Sequence, residues 1–431
     1  HGDFLIAAAP MPYLMCSTEQ DFFPLAGARK TFAEARRIYG VLGAEDRVAW
    51  AVGPGGHGMP LNVREAIYGW MSRWLKGAAT TQASEPRLRT EFEEDLYCTP
   101  SGQVSLSLGG DTASSLNIKR YAALPPPRPS PATSGDLERL RTELRSRVVE
   151  LTRYQPSTGS LSIDEGEPVR SPGYTTRPIH FEPSPGRRLP ARLILPEPES
   201  QPRKTLLYIG RPGADLDQLA QAGYTILAFE PSGAGETSSK WGGYAEQWFG
   251  QDKVTWLALM VGRPLVGIRI DDIRRAVDLL EQRGLLADGC TAFAKGSSAI
   301  DLLFAAVLDD RIRGVNLEGG LLSYASIVRT PIHRRIFESV VPGVLKSLDL
   351  PQLVAALAPR PVVLRNLTSP LGTIEPLPRA QAEYRFARDT YQAAGAAGNL
   401  EIGLRREDEP VLEAYPPIRL SAASRASRPA R

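Results

Sequence analysis

Two stretches of this chain repeat one another, and that restricts its fold more than any other feature. "APMPYLM" at 9–15 matches "APRPVVL" at 358–364, and "TFAEARRIYGVLGAEDRVAWAV" at 31–52 runs against "EYRFARDTYQAAGAAGNLEIGL" at 383–404. Ala35, Tyr39 and Gly43 fall on Ala387, Tyr391 and Gly395, with three more loop residues in the later copy. A repeat of this kind describes one structural unit used twice. In the first copy a buried strand is expected at about Tyr13–Cys16. A helix from Ala28 follows, in which Phe32, Ala35, Ile38, Tyr39 and Leu42 recur at helical spacing up to Gly43. "RVAWAV" at 47–52 is a second strand, and Val63, Ile67, Trp70 and Trp74 mark one face of a second helix. Strand, helix, strand, helix is the order of a parallel α/β sheet.

The intervening residues differ in kind. Residues 78–134 are polar, "EEDLYCTPSGQVSLSLGG" predicts a hairpin around the Pro100–Gly102 turn, and "LPPPRPSPATSG" at 124–135 reads as a semi-rigid linker. A helix from about Asp136 to Tyr154 then opens a second unit. In it "RLPARLILP", "KTLLYIG", "GYTILAF", "CTAFAK", "IRGVNLE" and "PRPVVLRNL" alternate with amphipathic helices such as "IRIDDIRRAVDLLEQRG". The expected organisation is therefore the carboxyl-terminal part of one α/β domain at 1–77 and a connector at 78–135. A second α/β domain with a whole sheet follows at 136–420, and 421–431 form a disordered tail. The fold class is α/β, with a mostly parallel sheet flanked by helices in one partial and one complete copy.

Charge and cysteine content remove several functions. The net charge of +3 comes from 51 basic and 48 acidic residues dispersed along the chain, which implies no polyanionic partner and no nucleic acid. No apolar run approaches the length of a membrane span. Cys16, Cys98 and Cys290 are distant and odd in number, fitting neither a disulfide framework nor a zinc site, and are expected as buried thiols. No metal site or cofactor is indicated. The chain opens on His1 with no recognisable signal segment, so no compartment is written in it.

Only four histidines occur, and one, His57, lies in the glycine loop "AVGPGGHGMP" directly after the second strand. The repeat separates chemistry from architecture here. His57 corresponds to Glu409, and Asp21 falls opposite "SPLGT" at 369–373, which has no carboxylate. A carboxylate after one parallel strand and a histidine after the next share the carboxyl edge of the sheet, where such folds bind ligands. There the acid can fix the ring tautomer and stabilise the imidazolium formed when Nε2 removes a proton from a nucleophile. Glu19 is a rival acid through a loop shift, whereas Asp46 belongs to the opposite edge.

"TEQDFFPLAGARKTFAEARRIYG" and "GPGGHG" resemble the α/β-hydrolase superfamily, specifically its acetyl xylan esterase and dienelactone hydrolase-like branch. The resemblance implies Asp21 as the acid and His57 as the base of a serine hydrolase. The family's chain order is nucleophile, acid, histidine, which puts the nucleophilic serine before residue 1. It also implies a nucleophile elbow in the second unit at "FAKGSSAIDLL", where Gly296 stands between the small residues Ala294 and Ser298 and the hydroxyl is missing. Ser297 and Ser298 each lack a small neighbour on one side. No histidine follows His333, which lies on an expected helical excursion away from the last strand. The second copy is thus expected to be catalytically degenerate.

"PSGAGE" at 231–236 contains a lone G-x-G and reads as a glycine turn after a strand in preference to a dinucleotide site. Trp241, Tyr244, Trp248, Phe249 and Trp256 cluster after it, as core, lid or a sugar-stacking platform. The expected function is part of a carboxylic ester hydrolase acting through an acyl-serine on small-molecule or plant polysaccharide esters. The family's setting is secreted or periplasmic, and no oligomeric state is implied. Two alternatives stand beside it: a non-catalytic glycan-binding or scaffold pseudo-hydrolase, and a prolyl oligopeptidase-like peptidase.

Overall fold

Strands buried along nearly their whole length need cover on both faces, and the second unit supplies it by alternation. In β7 (Lys204–Ile209) Leu207 and Ile209 enter one buried cluster while Leu206 and Tyr208 enter another. The computed structural model describes residues 2–125, 129–198, 204–211, 213, 215–239, 252–286 and 288–415. Its contacts divide the chain into two units, 1–109 and 110–431.

In the first unit β1 (Tyr13–Thr18) and β2 (Val48–Gly53) form a two-stranded parallel sheet, with Tyr13 opposite Val48 and Thr18 opposite Gly53. The helices Leu25–Val41 and Leu61–Lys76 follow the two strands, and Gly77 ends the second in the left-handed conformation at φ 70°. Tyr39 is fully buried, and its hydroxyl donates to Met11 O at 2.7 Å. The rest of this unit corrects the expected hairpin. Glu93–Leu96 is a short 3-10 turn and Val104–Ser107 one helical turn, because Ser101 Oγ turns the chain locally by accepting from Gln103 N.

Two capped helices precede the second sheet. A helix at Ala113–Ala122 is held by a capping box between Thr112 and Ser115, and the helix Ser134–Thr152 by one between Thr133 and Asp136. The sheet that follows has ten strands in the order β12-β11-β10-β9-β7-β8-β6-β5-β3, with β4 also on β5. The strands are β3 (Ser162–Glu165), β4 (Val169–Ser171), β5 (Tyr174–Ser184), β6 (Arg187–Pro196), β8 (Tyr224–Phe229), β9 (Cys290–Lys295), β10 (Ile312–Glu318), β11 (Val362–Arg365) and β12 (Leu400–Gly403). From β12 to β8 all neighbours are parallel, while β6, β5, β4 and β3 pair antiparallel. This is a mixed α/β sheet flanked by helices. Sequence patterning missed β3 to β5, where Pro178 and the polar residues of "YTTRPIHFEPS" blur the alternation.

The last two strands repeat the first unit's geometry. Val362 lies opposite Leu400 as Tyr13 lies opposite Val48, and the Tyr391 hydroxyl donates to Arg360 O at 2.8 Å. Ala35 and Ala387 are both fully buried, and Gly43 and Gly395 have φ of 65° and 66°. Among the described residues no helix is long and apolar enough to cross a membrane, and no cluster of histidine, cysteine and carboxylate side chains fits a metal ion. Only Cys290 of the three free cysteines is buried. Cys16 and Cys98 are exposed, contrary to expectation, because β1 is incompletely covered and Cys98 lies in irregular chain. The residues 241, 244, 248 and 249 of the aromatic cluster, and the tail at 421–431, lie outside the described residues.

Candidate active site

Parallel pairing of β1 with β2 brings the loops after Thr18 and Gly53 together. Glu19 N donates to Gly53 O at 3.0 Å and Gln20 N to Gly55 O at 2.9 Å, joining the two loops backbone to backbone. Gly53 has to be glycine, since a Cβ there would stand 2.4 Å from Pro60 Cγ and 2.7 Å from Val63 Cγ2. The chain can then turn into the helix Leu61–Lys76 while the loop carrying His57 projects outward.

On this frame Asp21 meets His57, and Nδ1 of the ring lies 3.0 and 3.2 Å from the two carboxylate oxygens. The Asp21 side chain is 9% exposed and that of His57 62%. Asp21 Oδ1 also accepts from Phe23 N at 3.0 Å, an Asx turn that aims the carboxylate, and Oδ2 accepts from Thr18 Oγ1 at 3.0 Å. The Phe23 N–H above all, then the His57 ring and the Thr18 hydroxyl, hold the Asp21 carboxyl below its ordinary range against partial desolvation. An ionised carboxylate only accepts, so Nδ1 carries the proton of this contact, and Nε2 makes no hydrogen bond among the described residues. Phe22 packs beside the imidazole with ring centres 4.6 Å apart.

Glu19 has no hydrogen bond to His57, and Asp46 pairs instead with Arg73 at 3.3 Å. Thr18 and the two phenylalanines were not singled out in the sequence, although an Asx turn is a local signal readable from Asp21 and its neighbours.

At the carboxyl edge of the second unit's sheet, Gly296 follows β9 with φ 61°, and an added Cβ would meet nothing within 4 Å. Gly296 N donates to Glu318 O at 2.8 Å. Neither Ser297 nor Ser298 is hydrogen-bonded to a histidine among the described residues. His333 lies in a loop after the helix Tyr324–Arg329, not on a helix as expected, and its Nε2 is 2.8 Å from Ile327 O. The strand ends are instead bridged by side-chain ion pairs. Arg405, past β12, donates from Nη1 to both oxygens of Glu318 at 3.0 and 2.8 Å, and the Tyr415 hydroxyl reaches Glu318 Oε2 at 2.9 Å. Lys295 pairs with Asp215 at 2.9 Å. Arg405 also donates to the backbone oxygen of Glu409, the residue aligned with His57, at 2.7 and 3.0 Å. The sequence reading missed this network, although Glu318 and Arg405 each stand at the end of a readable strand.

No family model matches the chain, and no curated protein matches it in sequence. Among solved structures the chain is similar to a Bacteroides fragilis protein assigned as an acetyl xylan esterase. That match has 17% identity and a TM-score of 0.55, over 69% of this chain and 83% of that one. A glucuronoyl esterase from Teredinibacter turnerae matches with 16% identity and a TM-score of 0.46, over 72% of this chain and 91% of that one. One from Solibacter usitatus matches with 12% identity and a TM-score of 0.45, over 67% and 96%. The first of these likenesses establishes the fold.

Proposed function

We propose that Asp21 and His57 are the acid and base of a serine carboxylic-ester hydrolase acting on carbohydrate esters. The observation that carries this reading is the Nδ1 to carboxylate contact between loops that follow adjacent parallel strands. The fold shared with a protein assigned as an acetyl xylan esterase supports the substrate class. In this reading Nε2 takes the proton of a serine hydroxyl as its oxygen attacks the ester carbonyl. Asp21 stabilises the imidazolium, which returns the proton to the departing alcohol, and water then releases the acid from the acyl-serine by the same route. In the chain order nucleophile, acid, histidine, the serine that this pair would serve comes before Asp21.

The second unit is proposed as a degenerate copy of the same domain, set at about 136–420, with 1–77 as the end of the active one and 78–135 as their connector. The matched strand register and the paired Tyr39 and Tyr391 hydrogen bonds support duplication. Gly296 and the Glu318–Arg405 bridge support the loss of chemistry.

The test is hydrolysis of p-nitrophenyl acetate and acetylated xylan by the protein extended upstream, beside the present chain. Activity in the extended protein that His57→Ala abolishes is expected, with none in residues 1–431. Activity that survives His57→Ala removes the histidine from the site.

A further inference from the structure

The amino-terminal edge of the second unit's sheet carries a charge arrangement that the ester-hydrolase reading does not use. A cavity of about 270 Å³ opens where β10 and β11 begin, lined by Glu138, Arg141, Arg145, Asp310, Arg313 and Arg360. It is slightly smaller than the roughly 300 Å³ at which drug-sized ligand sites start, so it suits a compact ligand.

The guanidiniums are anchored before any ligand arrives. Arg360 donates from Nη1 to Asp309 O and Ile312 O at 3.2 and 2.9 Å, and from Nη2 to Ala306 O at 2.8 Å. Arg141 Nε donates to Ala356 O at 3.0 Å and Arg145 Nε to Val307 O at 2.9 Å. Arg141 pairs with Glu138, and Arg145 with Asp310 at 2.5 Å. Arg313 Nε donates to Asp288 O at 3.2 Å, while its Nη1 and Nη2 have no partner among the described residues. Once Glu138 and Asp310 are matched, two positive charges remain in the lining. Burial holds the Arg360 guanidinium below its ordinary value, and the charges of Arg145 and Arg141 push the same way against Asp310.

We propose that this cavity binds a phosphoryl group, either inorganic phosphate or the phosphate of a small monoester. Rigid guanidiniums with unused Nη donors match the tetrahedral oxygens of a dianion, and a dianion cancels the two unmatched charges.

The full chain is titrated calorimetrically, and its melting temperature followed, with inorganic phosphate, with a hexose 6-phosphate, and with sodium chloride at matched ionic strength. Expected are 1:1 binding and a saturable rise in melting temperature with a phosphate that chloride does not produce. Tighter binding of the hexose phosphate assigns the monoester, and tighter binding of inorganic phosphate assigns the free ion. Arg313→Gln, on an exposed side chain, should weaken binding about tenfold, as should Arg141→Gln, the loss expected for one charge-assisted hydrogen bond. A response equal to that of chloride, or unchanged affinity in both folded variants, overturns the proposal.

Discussion

Arg405 and Glu318 reach across β11, the strand between theirs, and form two hydrogen bonds of 2.8 and 3.0 Å where an α/β sheet would ordinarily hold a ligand. Their side chains are 8% and 16% exposed. Removing one partner strands the other charge in a poorly hydrated place. Arg405→Met should therefore destabilise the second unit by about 3 kcal/mol, while the double variant with Glu318→Leu should recover most of that loss. Urea unfolding midpoints of the two variants measure the difference.

In the proposed site Asp21 fixes the ring tautomer through Nδ1, so Asp21→Asn in the upstream-extended protein should cut kcat by about 10⁴-fold through the wrong tautomer. KM should change little. Steady-state kinetics on p-nitrophenyl acetate separate the two parameters, and a Glu19→Gln variant with undiminished kcat completes the assignment.

Asp301 is fully buried beside Arg269, which it shares with Glu338, at 3.2 and 2.8 Å respectively. One cation between two carboxylates, with Asp272 and the buried Tyr324 nearby, leaves Asp301 disfavoured as an anion. Burial pushes its carboxyl up to about 7 from 3.8. Between those values the native state keeps a proton that the unfolded chain has lost, so stability falls as pH rises from about 4 to 7. Asp301→Asn should flatten that slope without removing it, because Asp272 is shifted in the same direction by burial. Urea midpoints at pH 5 and pH 8 provide the check.

Gly296→Ser puts a hydroxyl at the turn after β9, on a Cβ that would meet nothing within 4 Å beyond its chain neighbours. Its φ of 61° costs an L side chain about 1–2 kcal/mol, so the variant should fold with a modestly lower melting temperature. It should hydrolyse no ester, because Glu409 and the Ser369–Thr373 turn supply neither base nor acid. A large rate gain from this single change would mean that the second unit still holds a working base.

Much of this architecture follows from the sequence alone. Buried strands such as "KTLLYI" and "CTAFAK", the amphipathic helix around Tyr39, and the repeat joining Tyr39 to Tyr391 are local patterns of apolar spacing, and burial acts on them residue by residue. His57 stood out because its loop lies immediately beyond a strand. Other features depended on residues far apart in the chain. The pairing of β1 with β2 selected Asp21 over Glu19, since the Phe23 N–H and Thr18 hydroxyl aim only the former at the ring. The bridge from Glu318 to Arg405 exists because two strands separated by β11 end at the same edge. Likewise, the exposure of Cys16 follows from how much cover the sheet places over β1, and the cluster of arginines from where the helix Ser134–Thr152 meets the beginnings of β10 and β11. Periodicity specifies which side of an element is apolar, whereas charge pairing and exposure depend on what the folded chain brings against it.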